Sequence, residues 1–262
     1  MCTVVYIPNK AASYFASLRD ENPARATAIA PVLNSENSVK YISPVDSLAG
    51  GTWVGLSEFG NVIILLNGAF EKQERKAFYR KSRGLVVSEL LRAEIPLVDW
   101  ELMDMEDIEP YTLIVYIDGK LFQLVWDGEK KTRMMLDESK PQIWSSSTLY
   151  DVDAKKYRAE LFENWTMMEP PINKASVLNF FKTFTDSQNG FIMNRSEKVK
   201  TLSYTFIEIN EKATANFDYY DFINFKHHHL RMECVINSIL GSSNKCNFDI
   251  LKTITDGVNV ID

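Results

Sequence analysis

The hydrophobic pattern begins at the first residues. Residues 2–8 are a β-branched, apolar run ending in proline, the composition of a buried strand. Asn9-Lys10 signals a turn, and residues 14–18 read as a returning strand, so a hairpin is expected. It delivers the charged run Arg19-Asp20-Glu21-Asn22-Pro23-Ala24-Arg25 to the strand end. From there to residue 48 the alanine, proline and polar content predicts irregular surface chain. Residues 52–56 and 62–66 predict a second hairpin, turning over 58–61 and ending at Asn67-Gly68. Residues 72–81 carry charge without a period. Ser82 stands as a cap before apolar residues at helical spacing, and a further helix is expected over 97–106 before the Glu109-Pro110 break.

The strongest β signal spans 111–136. Two Asp-Gly turns, at 118–119 and 127–128, join apolar runs into a meander whose short third strand covers 132–136. Residues 151–168 read as a long helix stopped by Pro170-Pro171. Asn173 caps another over 174–184. Strands are expected over 199–209 and 214–220, then a final amphipathic helix over 230–240 with Cys234 on its buried side. Strands, helices, strands, helices, strands is the order of an α+β fold or layered sandwich with helices outside. No repeat and no Gly/Ser linker breaks the chain, so residues 1–262 are expected to form one domain.

Composition narrows the function classes. The chain has 262 residues, a net charge of −6, 45% hydrophobic and 24% charged residues. These are globular values, and mild acidity gives no electrostatic footprint for nucleic acid. Cys2, Cys234 and Cys246 are an odd, irregularly spaced set, which suggests a reducing compartment rather than a disulfide framework. Neither a secretory leader nor an apolar run of membrane-spanning length is seen, so a soluble, cytoplasmic protein is expected. Oligomeric state has no sequence signal.

The candidate chemistry starts at Cys2, directly after the initiator methionine. Removal of Met1 would leave a thiol and an α-amine on one residue, nucleophile and base together. An amine of ordinary pKa, about 7.7–8.0, serves as a base near neutrality. In a hairpin the far end of the second strand returns beside the start of the first, so Arg19 and Asp20 are expected near Cys2. An arginine there favours thiolate, and an aspartate would hold the amine or orient the arginine. Asn67, at a strand end before glycine, is a candidate oxyanion donor. The glycines at 50, 51 and 55 do not form a phosphate-binding fingerprint. On a strand only His227 and His229 of the histidine run share a face, too few for a zinc site, so no metal and no cofactor is expected.

Together these stretches resemble the NRDE family, also called the transport-and-Golgi-organisation family. Met1-Cys2 is similar to its opening. Arg19-Asp20-Glu21 with Arg25 resembles the motif that names it, with Leu18 in place of the motif's asparagine. Gly50-Gly51-Thr52-Trp53-Val54-Gly55-Leu56-Ser57 resembles its glycine-tryptophan block, with Asn67 at the following strand-end asparagine. Ser82-Arg83-Gly84-Leu85-Val86 is similar to its helix start, and residues 200–208 to a later strand, with Lys200 where arginine is usual. Ser145-Ser146-Ser147 stands where relatives have serine-asparagine. The resemblance implies a four-layer αββα sandwich of the N-terminal-nucleophile hydrolase type. It implies Cys2 as nucleophile with Arg19 and Asp20 beside it. Two functions then compete: an N-terminal cysteine amidohydrolase acting on a small amide, or a non-catalytic carrier of a hydrophobic metabolite such as haem or lipid. Trp53 and the aromatic β segments would line the carrier's pocket.

Overall fold

The computed structural model describes residues 2–25, 27–36, 38–168, 170–184, 189–195 and 198–235, with the Cys2 side chain outside that description. The chain opens with β1 (Cys2–Pro8) and β2 (Ala12–Glu21), followed by β3 (Ile29–Glu36), β4 (Val39–Val45), β5 (Val54–Ser57) and β6 (Val62–Asn67). Helices α1 (Arg83–Leu91) and α2 (Pro96–Leu102) lead into the meander β7 (Tyr111–Ile117), β8 (Lys120–Trp126) and β9 (Lys131–Leu136). After β10 (Gln142–Ser145) come α3 (Val152–Met167) and α4 (Lys174–Thr183). The strands β11 (Asn194–Arg195), β12 (Val199–Asn210), β13 (Thr214–Asp221) and β14 (Lys226–Glu233) complete the described fold.

These strands form two seven-stranded antiparallel sheets. One runs β10-β1-β2-β12-β13-β14, with β11 beside β12; the other runs β3 to β9 in chain order. Period-two alternation divides the first sheet's side chains between two cores. Val4, Tyr6 and Phe15 join a core that also holds Ile42, Leu56, Ile64 and Leu113 of the second sheet, with Val87, Leu91 and Trp100 from α1 and α2. Val5, Ala16, Leu18 and Tyr204 face a separate core with Phe162, Phe180 and Phe181 from α3 and α4. A strand buried on both faces needs apolar residues at every position, which is why residues 2–8 show no alternation. Aromatic rings fix the second core: Phe180 lies 4.7 Å from Trp165 and 4.9 Å from Phe191, centroid to centroid. Burying one such side chain contributes about 1.5–3 kcal/mol.

Local chemistry sets the helix starts. The Ser82 hydroxyl accepts from the Gly84 N–H, Asp151 caps α3 through the Ala154 N–H, and Asn173 forms a capping box with Ser176. Among the described residues no helix is long and apolar enough to cross a membrane.

Four expectations are corrected. Strand β2 runs through Glu21, so Arg19 and Asp20 lie within a strand between β1 and β12 and not past a strand end at residue 18. Pairing on both sides overrides the low β preference of that charged triplet. Residues 29–36 and 39–45 form β3 and β4; β3 is a sheet edge with Ile29, Val32 and Leu33 exposed, so it carries no core-facing periodicity. The short strand β10 pairs with β1 and has no hairpin signal of its own. Residues 230–233 belong to β14, not to a helix. Residues 236–240 and Cys246 lie outside the described residues.

Candidate active site

The site grows from the first strand pair. Register sets Cys2 opposite Arg19 and Thr3 opposite Leu18. On its other side β2 meets β12, pairing Arg19 with Ser203 and Asp20 with Thr201, with a register shift between those two β12 residues. Such an irregularity re-aims neighbouring side chains at a site.

Arg19 is only 4% exposed. Its Nη2 donates to Asp46 Oδ2 at 2.9 Å, and its guanidinium carbon lies 4.2 Å from the centre of the Trp53 ring. Asp46 follows β4 and organises the loop to Gly51. It accepts from Arg25 Nε at 2.9 Å and Nη2 at 3.2 Å, and from the N–H groups of Leu48 and Ala49. Burial alone would raise the Asp46 pKa, but the Arg25 and Ala49 hydrogen bonds outweigh it and the carboxyl sits below its ordinary value. Two guanidiniums on one carboxylate leave surplus positive charge beside the Cys2 register position.

Two glycines explain how the wall closes. A Cβ on Gly51 would lie 2.2 Å from the Gly84 carbonyl carbon, so the two backbones meet directly. The Thr52 N–H donates to the Gly84 oxygen at 3.0 Å, docking the start of α1 against the approach to β5. Trp53 and Arg83 are thereby brought to the same wall. Arg83 Nη2 lies 3.0 Å from Glu109 Oε2, and burial holds the Arg83 pKa below its ordinary value.

Asn67 closes the other side. Ser145 pairs with Thr3, and the next residue, Ser146, donates its hydroxyl to the Asn67 carbonyl oxygen at 2.7 Å. The end of β6 is thus tied to the start of β1. The Asn67 side-chain amide makes no hydrogen bond among the described residues. Arg19, Asp46, Trp53, Asn67, Ser82 and Arg83 all line one cleft of about 640 Å³.

Asp20 is placed differently. It is fully buried on the face of the first sheet that meets α3 and α4. Its Oδ1 accepts from Thr201 Oγ1 at 2.7 Å and its Oδ2 from the Tyr150 hydroxyl at 3.3 Å. Burial pushes its pKa up to about 6, against the Thr201 hydrogen bond, the Arg158 charge and the Tyr150 hydrogen bond. Arg158, fully buried, stacks 4.1 Å from the Tyr150 ring and 4.3 Å from Phe191. It donates to the Asn189 and Gly190 carbonyls, to Ser145 Oγ and to Thr3 Oγ1. The structure therefore brings Arg19 and Asn67 to the cleft by the backbone of Cys2, while Asp20 does not meet Arg19. The carboxylate that orients Arg19 is Asp46.

Sequence reasoning passed over Asp46, Tyr150 and Arg158. An aspartate four residues before Gly50-Gly51 is a loop-organising signal that was there to read. Arg158 stands at helical spacing between the buried Ala154 and Phe162, but a long cation flanked by Lys155, Lys156 and Glu160 does not read as a core position. Elsewhere, His227 Nε2 and His229 Nδ1 share a strand face, as their spacing requires. Both meet Asp218 Oδ1, at 2.7 and 3.1 Å, beside Lys174 at 2.8 Å. Among the described residues no group of three His, Cys, Asp or Glu is placed to hold a metal. The Cys234 thiol is pushed up to about 11 by burial and is no nucleophile at neutral pH.

The family model for Transport and Golgi organisation 2 matches residues 1–220. The chain belongs to that family. No curated protein matches it. Among solved structures, a mutant of the conjugated bile acid hydrolase from Clostridium perfringens has a TM-score of 0.56 at 10% identity, over 88% of this chain and 92% of that one. A second variant of that hydrolase gives 0.56 at 10%, over 87% and 92%. The N-acylethanolamine-hydrolysing acid amidase orthologue of Caenorhabditis elegans gives 0.54 at 11%, over 79% and 92%. At these identities the likeness is one of fold, and the fold of this family member is that of N-terminal-nucleophile hydrolases.

Proposed function

We propose that this protein is a cysteine N-terminal-nucleophile hydrolase that cleaves a carbon–nitrogen amide bond in a small molecule. In this reading the chain is one cytoplasmic domain, a four-layer αββα sandwich with α1 and α2 outside one sheet and α3 and α4 outside the other. One observation carries it: the buried Arg19 guanidinium, register partner of Cys2, is gripped by Asp46 and Trp53 in the wall of the cleft that Asn67 also lines. The fold likeness to a hydrolase of conjugated bile acids and to an acid amidase adds support, since by their names both are hydrolases and the second cleaves amides.

The steps follow from the chemistry of the groups. Loss of Met1 frees the Cys2 amine, which takes the thiol proton while the Arg19 charge favours the thiolate. The sulfur attacks the amide carbonyl, and the Asn67 amide donates to the oxyanion that forms. The Cys2 ammonium passes its proton to the leaving nitrogen, the carbon–nitrogen bond breaks, and a thioester remains. Water, deprotonated by the same amine, attacks the thioester and releases the acid. Asp20, adjacent to Arg19 on β2, supports the ammonium electrostatically from the far face of the sheet.

Intact mass before and after a β-lactone or thiol-reactive amide probe tests this. The expected result is a chain lacking Met1 with one adduct mapped to Cys2, absent in Cys2→Ala. A retained Met1 with an unreactive Cys2 overturns it. The carrier reading has less behind it. Tyr111, Phe122 and Trp126 are buried in the core, and Trp53 is covered by Arg19 and packed near Tyr219.

A further inference from the structure

The hydrolase reading leaves open what the amide substrate carries, and the cleft wall bears on that. We propose that the hollow beside Asn67 is an anion-binding subsite, which takes a carboxylate, sulfonate or phosphate group on the substrate. The proposal rests on the hydrolase reading and adds a substrate class to it.

Three arginines from three stretches of chain meet there. Arg25 follows β2, Arg75 lies in the irregular segment before α1, and Arg83 opens α1. With Asn67, all three line both the main cleft and an adjoining hollow of about 530 Å³. Their charges are not cancelled locally. Arg83 and Arg75 share Glu109, at 3.0 and 3.9 Å, and Arg25 shares Asp46 with Arg19. Of the two surplus charges this leaves, Glu21 in the same wall offsets one. Of the lysines, Lys76 pairs with Asp107 and Lys81 with Glu89, while the charges of Lys72 and Glu74, which also line the hollow, offset each other.

A net positive wall is not what composition alone would give in a chain of charge −6. Arg83 also stands at the first turn of α1, where a cation works against the helix dipole and no acidic residue is present. Helix stability therefore does not account for it. The Arg75 side chain is 78% exposed and makes no hydrogen bond among the described residues, so its fork of donors is open to a ligand. Guanidinium forks bind oxyanions in bidentate fashion, and a concave wall of one sign concentrates such ligands. A neutral amide would use none of this.

The test measures binding apart from turnover. Hexanoyl anilides bearing a para carboxylate, sulfonate, phosphate or methyl ester are titrated calorimetrically into Cys2→Ala protein at low and high salt. The acidic probes are expected to bind at least about tenfold tighter than the ester, with the margin shrinking in salt. That margin should fall in Arg25→Gln and Arg75→Gln, whose far-ultraviolet circular dichroism should match the parent. The order among the three acids identifies the oxyanion. Equal binding of ester and acids, no binding of any probe, or a margin unchanged in both variants overturns the proposal. Acid-selective binding with no hydrolysis of any amide by the unsubstituted chain would sink the hydrolase reading and leave the subsite standing. Hydrolysis without acid preference would do the reverse.

Discussion

Replacing Asp20 by asparagine should remove the pH dependence that this one carboxyl imposes on stability. Asp20 is fully buried, and its pKa stands at about 6 against an ordinary 3.8. The folded chain therefore holds the Asp20 proton more tightly than the unfolded chain does. The linked stability is fully present below 3.8 and is lost as pH rises through about 6. At about 1.4 kcal/mol per pH unit, that loss comes to about 3 kcal/mol. In Asp20→Asn the amide oxygen can still accept from Thr201 and the amide nitrogen can donate to the Tyr150 hydroxyl, but nothing titrates. The stability difference between parent and variant should thus move by about 2.5 kcal/mol between about pH 4 and about pH 8, with the variant gaining at the higher pH. Urea unfolding followed by the fluorescence of the five tryptophans reads this directly, comparing midpoints at unchanged slope. A difference flat to within about 0.5 kcal/mol over that range would refute the reasoning. It would mean that the nearby Arg158 charge cancels the burial of Asp20.

Four further changes have expected outcomes. Asp46→Asn leaves Arg19 and Arg25 without their shared carboxylate and should lower stability by about 2–4 kcal/mol, read from urea midpoints; no change would show the pairing to be idle. Gly51→Ala forces a methyl to within 2.2 Å of the Gly84 backbone, so it should cost about 3 kcal/mol or prevent folding. Gly119→Ala, at an open turn, isolates its positive φ and should cost about 1 kcal/mol by thermal melting. Lys131 Nζ donates to the carbonyls of Trp100, Glu101 and Met103 at the end of α2, so Lys131→Met should lose about 1–3 kcal/mol, with amide exchange rising in α2 first.

The parts of the fold legible in the sequence are those where local chemistry and burial agree. The meander over 111–136 has two Asp-Gly turns and apolar runs, and it forms β7, β8 and β9. The capping signals at Ser82 and Asn173 start α1 and α4. What was illegible depends on pairing partners distant in sequence. β3 and β10 owe their conformation to β4 and β1 and carry no internal period. The site divides the same way. Register beside Cys2 made Arg19 visible, whereas Asp46 reaches Arg19 across 27 residues and Arg158 reaches Thr3 across 155. Nothing short-range marks either contact.

The Arg19-Asp20 dipeptide shows what that separation does to the chemistry. In the sequence the two charges are neighbours and look like each other's counter-ion. Strand β2 sends consecutive side chains to opposite faces, so they are parted by the sheet itself. Each then takes a partner from elsewhere: Arg19 the loop carboxylate Asp46, and Asp20 the hydroxyls of Thr201 and Tyr150. Had the two paired with each other, the cleft wall would hold a neutral couple. Instead Asp46 is shared with Arg25, the arginines outnumber it, and the positive surplus stays on the face that lines the cleft. On the far face, Arg158 joins Thr3, Ser145 and the 189–190 backbone beside Asp20, fixing the strand end from behind. Exchanging the two residues, Arg19→Asp together with Asp20→Arg, conserves composition and net charge. It would place a carboxylate against Asp46 in the cleft and an arginine where Thr201 and Tyr150 donate hydrogen bonds. A like-charge contact with Asp46 on one face and with the nearby Arg158 on the other would follow in buried surroundings, each costing several kcal/mol. The order of the two residues, and not merely their presence, is therefore what the site requires.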